Sequence, residues 1–121
     1  GFADGVGTAA TFNAPAGIAL SADVSFALVC DRGGRRVRQI NFATGAVTTL
    51  AGSGRVGVTD GVGSAAAFSA PADIALVPDE SAAVVSEVTG HVVRALQIAT
   101  GSVTTVAGVP GEAGTEDGLG A

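Results

Sequence analysis

Two acidic residues, Asp31 and Glu87, each stand seven positions ahead of an arginine, Arg38 and Arg94. This spacing can bring two charges face to face across a hairpin turn. Residues on adjacent antiparallel strands lie opposite one another, and a carboxylate beside a guanidinium forms a strong charge-assisted hydrogen bond. We therefore expect these four residues to form two structural ion pairs.

A second cation is available to each acid, because Arg35 also follows Asp31 and His91 also follows Glu87. Both alternatives stay open at this point. Acid–base catalysis or metal binding would need further groups that converge on the carboxylates, and His91 is the only histidine of the chain. We therefore expect no catalytic residue, no metal and no cofactor, and we predict that the chain is not an enzyme.

Short Asp-Gly loops at residues 4–7, 60–63 and 117–120 look superficially like calcium-binding loops. Calcium takes about six to eight oxygen ligands, commonly from several carboxylates, whereas each loop offers one aspartate. The simpler interpretation is that the aspartate caps a turn and that glycine supplies the positive φ of the turn.

An arginine cluster follows Asp31. Together with the histidine of the second half, it makes up a candidate interaction surface of Arg32, Arg35, Arg36 and His91. RNA-binding surfaces combine positive charge with aromatic stacking platforms, but aromatic residues make up only 4% of the chain. A solvated or ion-paired strand end is the simpler interpretation, and RNA is not the expected partner.

The overall charge excludes other partners. The chain has 11 acidic and 6 basic residues, no lysine and a net charge of −5, so DNA is not expected, because phosphate binding needs dense positive charge. No apolar run approaches the roughly 18 residues of a membrane span.

The single Cys30 can make no intrachain disulfide, and it aligns with Ser86, which predicts a small buried filler. O-linked glycan on outer-strand threonines stays open.

The segments that carry these residues are duplicated. Residues 4–15 return as residues 60–71, and residues 43–52 return as residues 99–108, with a constant offset of 56 positions. A third copy begins at residue 117. A fixed period of this size is typical of a repeat architecture, in which each unit covers its apolar faces against its neighbours.

Each repeat contains four short segments with strand character. They are residues 17–20, 26–30, 36–40 and 47–50, and then 73–77, 82–86, 91–96 and 103–106. Thr-Gly pairs before the last segment of each repeat predict tight hairpin turns, and the alternating threonines of that segment predict an outer or edge strand. Four antiparallel strands per repeat predict an all-β fold of β-propeller blades. A solenoid or a sandwich array fits the strand number and spacing less well.

The repeats resemble those of the NHL family. The matching segments are residues 12–19 (FNAPAGIA), 29–31 (VCD), 34–38 (GRRVR), 90–94 (GHVVR), 44–52 (TGAVTTLAG) and 100–108 (TGSVTTVAG). Only His91 keeps the histidine of the family pattern, and glycine replaces its asparagine in both copies. The resemblance implies a propeller of about six blades, of which this chain supplies two consecutive ones.

The repeat boundaries divide the chain into residues 1–59, 60–116 and 117–121, which are one blade with its interblade loop, a second blade with its loop, and the start of a third. Two blades alone would leave apolar sheet faces uncovered, and a lone pair of small sheets is not expected to be stable. We therefore expect neighbouring blades of the same or other chains as partners, through self-assembly or protein binding.

The function expected from these features is that of a non-catalytic structural or interaction segment, a building block of an extracellular or cell-surface protein or filament. A first alternative is an NHL propeller that recognises a ligand, peptide or RNA within a larger regulator. A second alternative is a fragment of a propeller lyase or lactonase whose site lies on other blades.

Overall fold

The computed structural model describes residues 3–109, which form two antiparallel β-sheets. The first sheet contains β1 (Gly5–Val6), β2 (Pro15–Leu20), β3 (Phe26–Asp31), β4 (Arg36–Asn41) and β5 (Ala46–Ala51). Its spatial order is β1-β5-β4-β3-β2. The predicted all-β class is confirmed. Residues 117–121, where the third copy begins, lie outside the described residues.

The second sheet repeats the first. It contains β6 (Gly61–Val62), β7 (Pro71–Leu76), β8 (Ala82–Glu87), β9 (Val92–Gln97) and β10 (Ser102–Ala107), in the order β6-β10-β9-β8-β7. Each sheet is a meander of four six-residue strands with a short fifth strand at its outer edge. Sheets of this kind form propeller blades.

Strand alternation and glycine turns explain the local structure. In β8, Ala83 and Val85 are buried while Val84 and Ser86 are exposed, as the two-residue period of a strand requires. The predicted Thr-Gly turns precede β5 and β10. There Gly45 has a φ of 74° and Gly101 a φ of 76°, values that glycine adopts without steric cost.

The fifth strand departs from the sequence prediction. In the first sheet, Gly5 pairs with Val47 of β5, and in the second, Gly61 pairs with Val103 of β10. The strand predicted as the edge of each repeat is therefore covered by a two-residue strand from the connector that precedes the same sheet. A single 3₁₀ turn follows each short strand, at Gly7–Ala9 and Gly63–Ala65.

The two sheets share one apolar core. Its buried members are Leu28, Cys30, Val37 and Ala51 from the first sheet and Ala66, Phe68, Ile74, Ala83, Val85, Leu96 and Val103 from the second sheet and its connector. The inner strands β2 and β7 lie in close contact. A Cβ on Gly17 would stand 2.7 Å from the Ala72 carbonyl oxygen, so this contact requires glycine.

Hydrogen bonds also join the two repeats. The backbone amides of Gly52 and Ser53, just after β5, donate to the carbonyls of Gly63 (3.1 Å) and Ala66 (2.9 Å) in the second connector. Within residues 3–109, no helix is long and apolar enough to span a membrane.

Candidate interaction surfaces

A buried arginine ties the first connector to the first sheet. The Arg38 side chain is fully buried, and its Nη1 donates to Asp31 Oδ2 (3.1 Å) and to the Thr11 carbonyl (2.9 Å). Its Nη2 donates to the Ala3 carbonyl (2.8 Å) and to Asp4 Oδ1 (3.0 Å). One guanidinium thus joins the middle of β4 to both ends of the connector.

Arg94 makes the equivalent bonds 56 positions later. Its Nη1 donates to Glu87 Oε2 (2.7 Å) and to the Ala67 carbonyl (3.0 Å), and its Nη2 donates to the Thr59 carbonyl (2.9 Å) and to Asp60 Oδ1 (3.2 Å). Of the two cations that the sequence left open for each acid, the structure pairs Asp31 and Glu87 with the buried arginines.

An aromatic ring completes each network. The Arg38 guanidinium lies 4.8 Å from the centroid of Phe12, and that of Arg94 lies 5.1 Å from the centroid of Phe68. A cation over an aromatic face is attracted by the ring quadrupole, more strongly where water is excluded. The rings therefore hold the end of each connector where the inner strand begins.

The loop aspartates act differently from the turn caps expected from the sequence. Asp4 accepts hydrogen bonds from Thr49 Oγ1 (3.0 Å) as well as from Arg38, and Asp60 accepts one from Thr105 Oγ1 (2.9 Å). Each carboxylate therefore reaches across to the outer strand instead of closing its own turn. The loop glycines that follow, Gly7 and Gly63, do have positive φ, 58° and 56°.

These hydrogen bonds set the acidity of Asp60. Partial burial alone would raise the pKa of Asp60, but hydrogen bonds from Thr105 and the charge of Arg94 outweigh it and lower the pKa below its usual 3.8. The carboxylate is consequently charged at neutral pH, which is the form that holds the connector.

The remaining cations that the sequence singled out lie at the β3–β4 and β8–β9 turns. Arg35 and His91 occupy equivalent positions with positive φ, 54° and 57°. Within residues 3–109 neither side chain forms an ion pair with the buried carboxylates, although the His91 amide donates to the Glu87 carbonyl (3.1 Å). Arg32 is exposed, and Arg36 donates to the carbonyls of Gly34 (2.9 Å) and Ser53 (3.1 Å).

Sequence reasoning missed Arg55, which is exposed on the segment after β5. The segment lies against Arg36, since a Cβ on Gly54 would stand within 2.7 Å of the Arg36 guanidinium nitrogens and carbon. Arg55 is 17 or more residues from the other arginines in sequence. The contact between its segment and Arg36 could therefore have been predicted only from the meander order of the strands.

Cys30 is fully buried in the core between the sheets. Burial raises the pKa of its thiol to about 12, and the carboxylates of Asp73 and Glu87 add to the effect. A neutral thiol at this depth acts as a small apolar side chain.

Two apolar sheet faces are uncovered within the described residues. The first, which we call the leading face, belongs to the first sheet and forms a hollow of about 290 Å³ lined by Phe12, Pro15, Ala16, Gly17, Ile18, Val29 and Ile40. The second, which we call the trailing face, belongs to the second sheet and consists of Val84, Ser86, Val93 and Ala107, the counterparts of Leu28, Cys30, Val37 and Ala51.

A second, more polar cleft lies where the connector passes from the first sheet to the second. It has a volume of about 480 Å³ and is lined by Ser53, Arg55, Val56, Thr59, Ser64, Ala65 and Ala67. Among residues 3–109, no three His, Cys, Asp or Glu side chains stand close enough to hold a metal ion together.

No family model and no curated protein matches the chain. Solved structures do. An auxiliary nutrient binding protein from Bacteroides thetaiotaomicron VPI-5482 matches with a TM-score of 0.66 and 22% identity, over 75% of this chain and 25% of that one. One from Bacteroides ovatus ATCC 8483 matches with a TM-score of 0.66 and 24% identity, again over 75% and 25%.

A protein of unknown function from Bacteroides thetaiotaomicron VPI-5482 is also similar, with a TM-score of 0.64 and 23% identity over 84% of this chain and 23% of that one. At these identities the likeness shows the fold alone. The chain spans about a quarter of the length of these neighbours.

Proposed function

We propose that this chain is a pair of consecutive blades of a larger NHL-type β-propeller of about six blades, and that it serves as a non-catalytic structural and interaction segment. The role of each blade is to present one leading and one trailing face to its neighbours. The buried arginine networks support this role, because they fix each connector as part of the leading face.

The exposure of equivalent residues in the two repeats supports this role. Ile74 and Phe68 are 5% and 0% exposed because the first sheet covers them, whereas their counterparts Ile18 and Phe12 lie on the open leading face, where Ile18 is 57% exposed. On the other side, Leu28 is 0% exposed and its counterpart Val84 is 41% exposed. Each open face is thus a copy of a face that the structure shows covered.

The two open faces are therefore complementary to each other. The interface between the sheets joins the trailing face of the first to the leading face of the second, so an equivalent contact joins the trailing face of this chain to the leading face of a further unit. Such a contact is head-to-tail. It closes into a ring when a whole number of blade-to-blade rotations makes one full turn. Further blades of the same chain or a second copy would cover the faces in the same way.

A binding role belongs to the same proposal. Two structural neighbours are described as auxiliary nutrient binding proteins, and a propeller that presents loops around an axis suits ligand or protein recognition. We also propose an extracellular or cell-surface location, in keeping with a segment that builds a coat, a filament or a capture module.

Two single-face variants test the head-to-tail contact. Ile18→Glu places a charge on the leading face, and Val84→Glu places one on the trailing face. Each variant alone should sediment as a monomer, whereas an equimolar mixture should form a 1:1 dimer through the two intact faces. Thr48→Glu, on an exposed position of β5, is the matched control and should associate as the unmodified chain does. A mixture that stays monomeric would contradict the proposal.

A further inference from the structure

The polar cleft between the two repeats, which we call the junction cleft, contains an arginine without an acidic partner. Arg55 is exposed and lines this cleft of about 480 Å³. Within residues 3–109, no carboxylate oxygen lies within 4.0 Å of the Arg55 guanidinium. The residues that line the cleft include no aspartate and no glutamate. The lining therefore offers a ligand one positive charge and no negative charge.

Three hydroxyl groups line the same cleft, those of Ser53, Thr59 and Ser64. Within the described chain, the hydroxyls of Thr59 and Ser64 make no hydrogen bond, and that of Ser53 accepts one from the Arg55 amide (3.2 Å). A hydroxyl group can both donate and accept a hydrogen bond. The lining can therefore bind the hydroxyl groups of a ligand beside the charge of Arg55.

The wall of the cleft that follows β5 is fixed by hydrogen bonds within the chain. The amides of Gly52 and Ser53 donate to the carbonyls of Gly63 (3.1 Å) and Ala66 (2.9 Å). Nη2 of Arg36 donates to the Ser53 carbonyl (3.1 Å). These bonds tie the wall to β4 on one side and to the second connector on the other. A ligand therefore meets a preformed surface and does not have to order it.

The opposite wall is fixed by the buried network of the second sheet. Thr59 and Ala67 exchange backbone hydrogen bonds of 3.2 and 2.9 Å, and Arg94 donates to the carbonyls of both residues (2.9 and 3.0 Å). Asp60 follows Thr59, but its carboxylate accepts hydrogen bonds from Arg94 and from Thr105 Oγ1 and is not part of the lining. The nearest acid in sequence is thus already engaged.

The donors of the junction cleft suit a carboxylate better than a phosphate. The guanidinium fork of an arginine matches the two oxygens of a carboxylate. Phosphate sites commonly add several backbone amides that point at the anion. Here the amides of Gly52, Ser53, Thr59 and Ala67 donate to carbonyls of the chain itself. The net charge of −5 also opposes a polyanion.

We propose that the junction cleft binds a small sugar acid, which is a molecule with one carboxylate and several hydroxyl groups, either free or at the end of a polysaccharide. The carboxylate pairs with Arg55, and the ligand hydroxyls bond to Thr59 and Ser64. The cleft volume lies in the range of about 300–1,000 Å³ that is common for small-molecule sites. A neutral sugar lacks the charge that pairs with Arg55.

This site rests on the binding role proposed above, but it needs no further blade. Both walls belong to this chain and lie between its own two repeats, and the leading and trailing faces stay free when the cleft is occupied. The two proposals can therefore fail separately. Absence of sugar-acid binding, together with a dimer in the mixture of face variants, overturns the site alone. The opposite pair of results overturns the head-to-tail contact alone.

An NMR titration of the isotope-labelled chain with D-glucuronate and with D-gluconate measures binding in the cleft. We expect at least one acid to shift the amides of Arg55, Thr59 and Ser64 with a Kd of about 1 mM. Glucose and acetate, which carry only the hydroxyls or only the carboxylate, should bind about tenfold more weakly or less. The proposal is overturned by glucose that binds as tightly as the acids, by inorganic phosphate that binds more tightly, or by no shift with either acid at about 50 mM.

An oligosaccharide that ends in glucuronate distinguishes the two sources of the ligand. Binding as tight as that of free glucuronate identifies the end of a polysaccharide, and weaker binding identifies the free acid. Both results support the site, because both place the carboxylate in the cleft.

Two pairs of variants locate the binding. Arg55→Gln should weaken binding of the acid about tenfold or more, whereas Arg32→Gln, at an exposed position outside the cleft, should bind as the unmodified chain does. Ala65→Leu fills the cleft and should abolish binding. Ala9→Leu, at the equivalent exposed position of the first connector, is the matched control and should keep it. Unchanged binding by Arg55→Gln, or equal effects of the two leucine substitutions, would overturn the proposal.

Discussion

Ile18 and Ile74 occupy the same place on the inner strands of their sheets, yet the first is 57% exposed and the second is 5% exposed. The difference arises because the first sheet covers Ile74, and nothing in the described chain covers Ile18. Burial of one isoleucine side chain is worth about 1.5–3 kcal/mol. The pair of repeats thus contains both the covered and the uncovered form of the same apolar face.

The buried arginine networks should dominate the stability of each repeat. Arg94→Ala leaves Glu87 buried without its cation, so we expect the free energy of unfolding to fall by about 3–5 kcal/mol. Arg32→Ala, at an exposed position, should change it by less than about 0.5 kcal/mol. Urea denaturation followed by circular dichroism measures both. Equal effects of the two substitutions would contradict the structural role of the buried arginine.

Close approach of the inner strands depends on Gly17. Its counterpart in the second repeat is Asp73, which has no described strand beyond it. A Cβ on Gly17 would stand 2.7 Å from the Ala72 carbonyl oxygen, which is backbone, so Gly17→Ala should cost about 1–3 kcal/mol by forcing the sheets apart. Thr48→Ala, at an exposed position of β5, is the control, and thermal denaturation should show it to be nearly neutral.

Val24 stores backbone strain in the β2–β3 turn. It is exposed and has a φ of 58°, a region that β-branched residues seldom adopt. Val24→Gly should therefore stabilise the protein by about 1 kcal/mol, because glycine adopts this conformation freely. Thr104→Gly, on an exposed extended position, should destabilise it. Calorimetry that finds both changes destabilising would rule out strain at Val24.

Acid should loosen the connectors. The pKa of Asp60 is lower in the folded chain than its usual 3.8, so its contribution is fully present above the unfolded-state pKa and is lost as the pH falls through the folded-state pKa. We expect the free energy of unfolding to decline below about pH 4. Asp60→Asn should be less stable at neutral pH, and its free energy of unfolding should decline less steeply as the pH falls. A pH series of urea denaturations measures this dependence. The same slope in the variant and the unmodified chain would show that Asp60 has no part in it.

The sequence predicts the main strands well because their signals are local and occur twice. Apolar alternation and Thr-Gly turns predict the four long strands of each repeat, and the repeat offset predicts that the two copies fold alike. The two-residue strands at Gly5 and Gly61 have no such signal, since they exist only through pairing with the outer strands.

The partners of the charged residues were less predictable, because they depend on tertiary contacts that have no local sequence signal. The choice of Arg38 over Arg35 depends on strand register and on a positive φ at Arg35, which residue type does not determine. The segment that carries Arg55 lies against Arg36 only because the strand order returns the chain there. The reach of Asp4 to Thr49, 45 residues away, is likewise a tertiary contact.

The mass of the unmodified chain in about 0.5 M NaCl tests the central claim most directly, because salt of this strength removes ionic association and leaves the sheet faces to act alone. Two open, complementary faces predict a species that is a multiple of 11.5 kDa, with Ile18 protected from solvent. A stable, fully folded 11.5 kDa monomer would show that neither face needs a neighbour, and it would contradict the account.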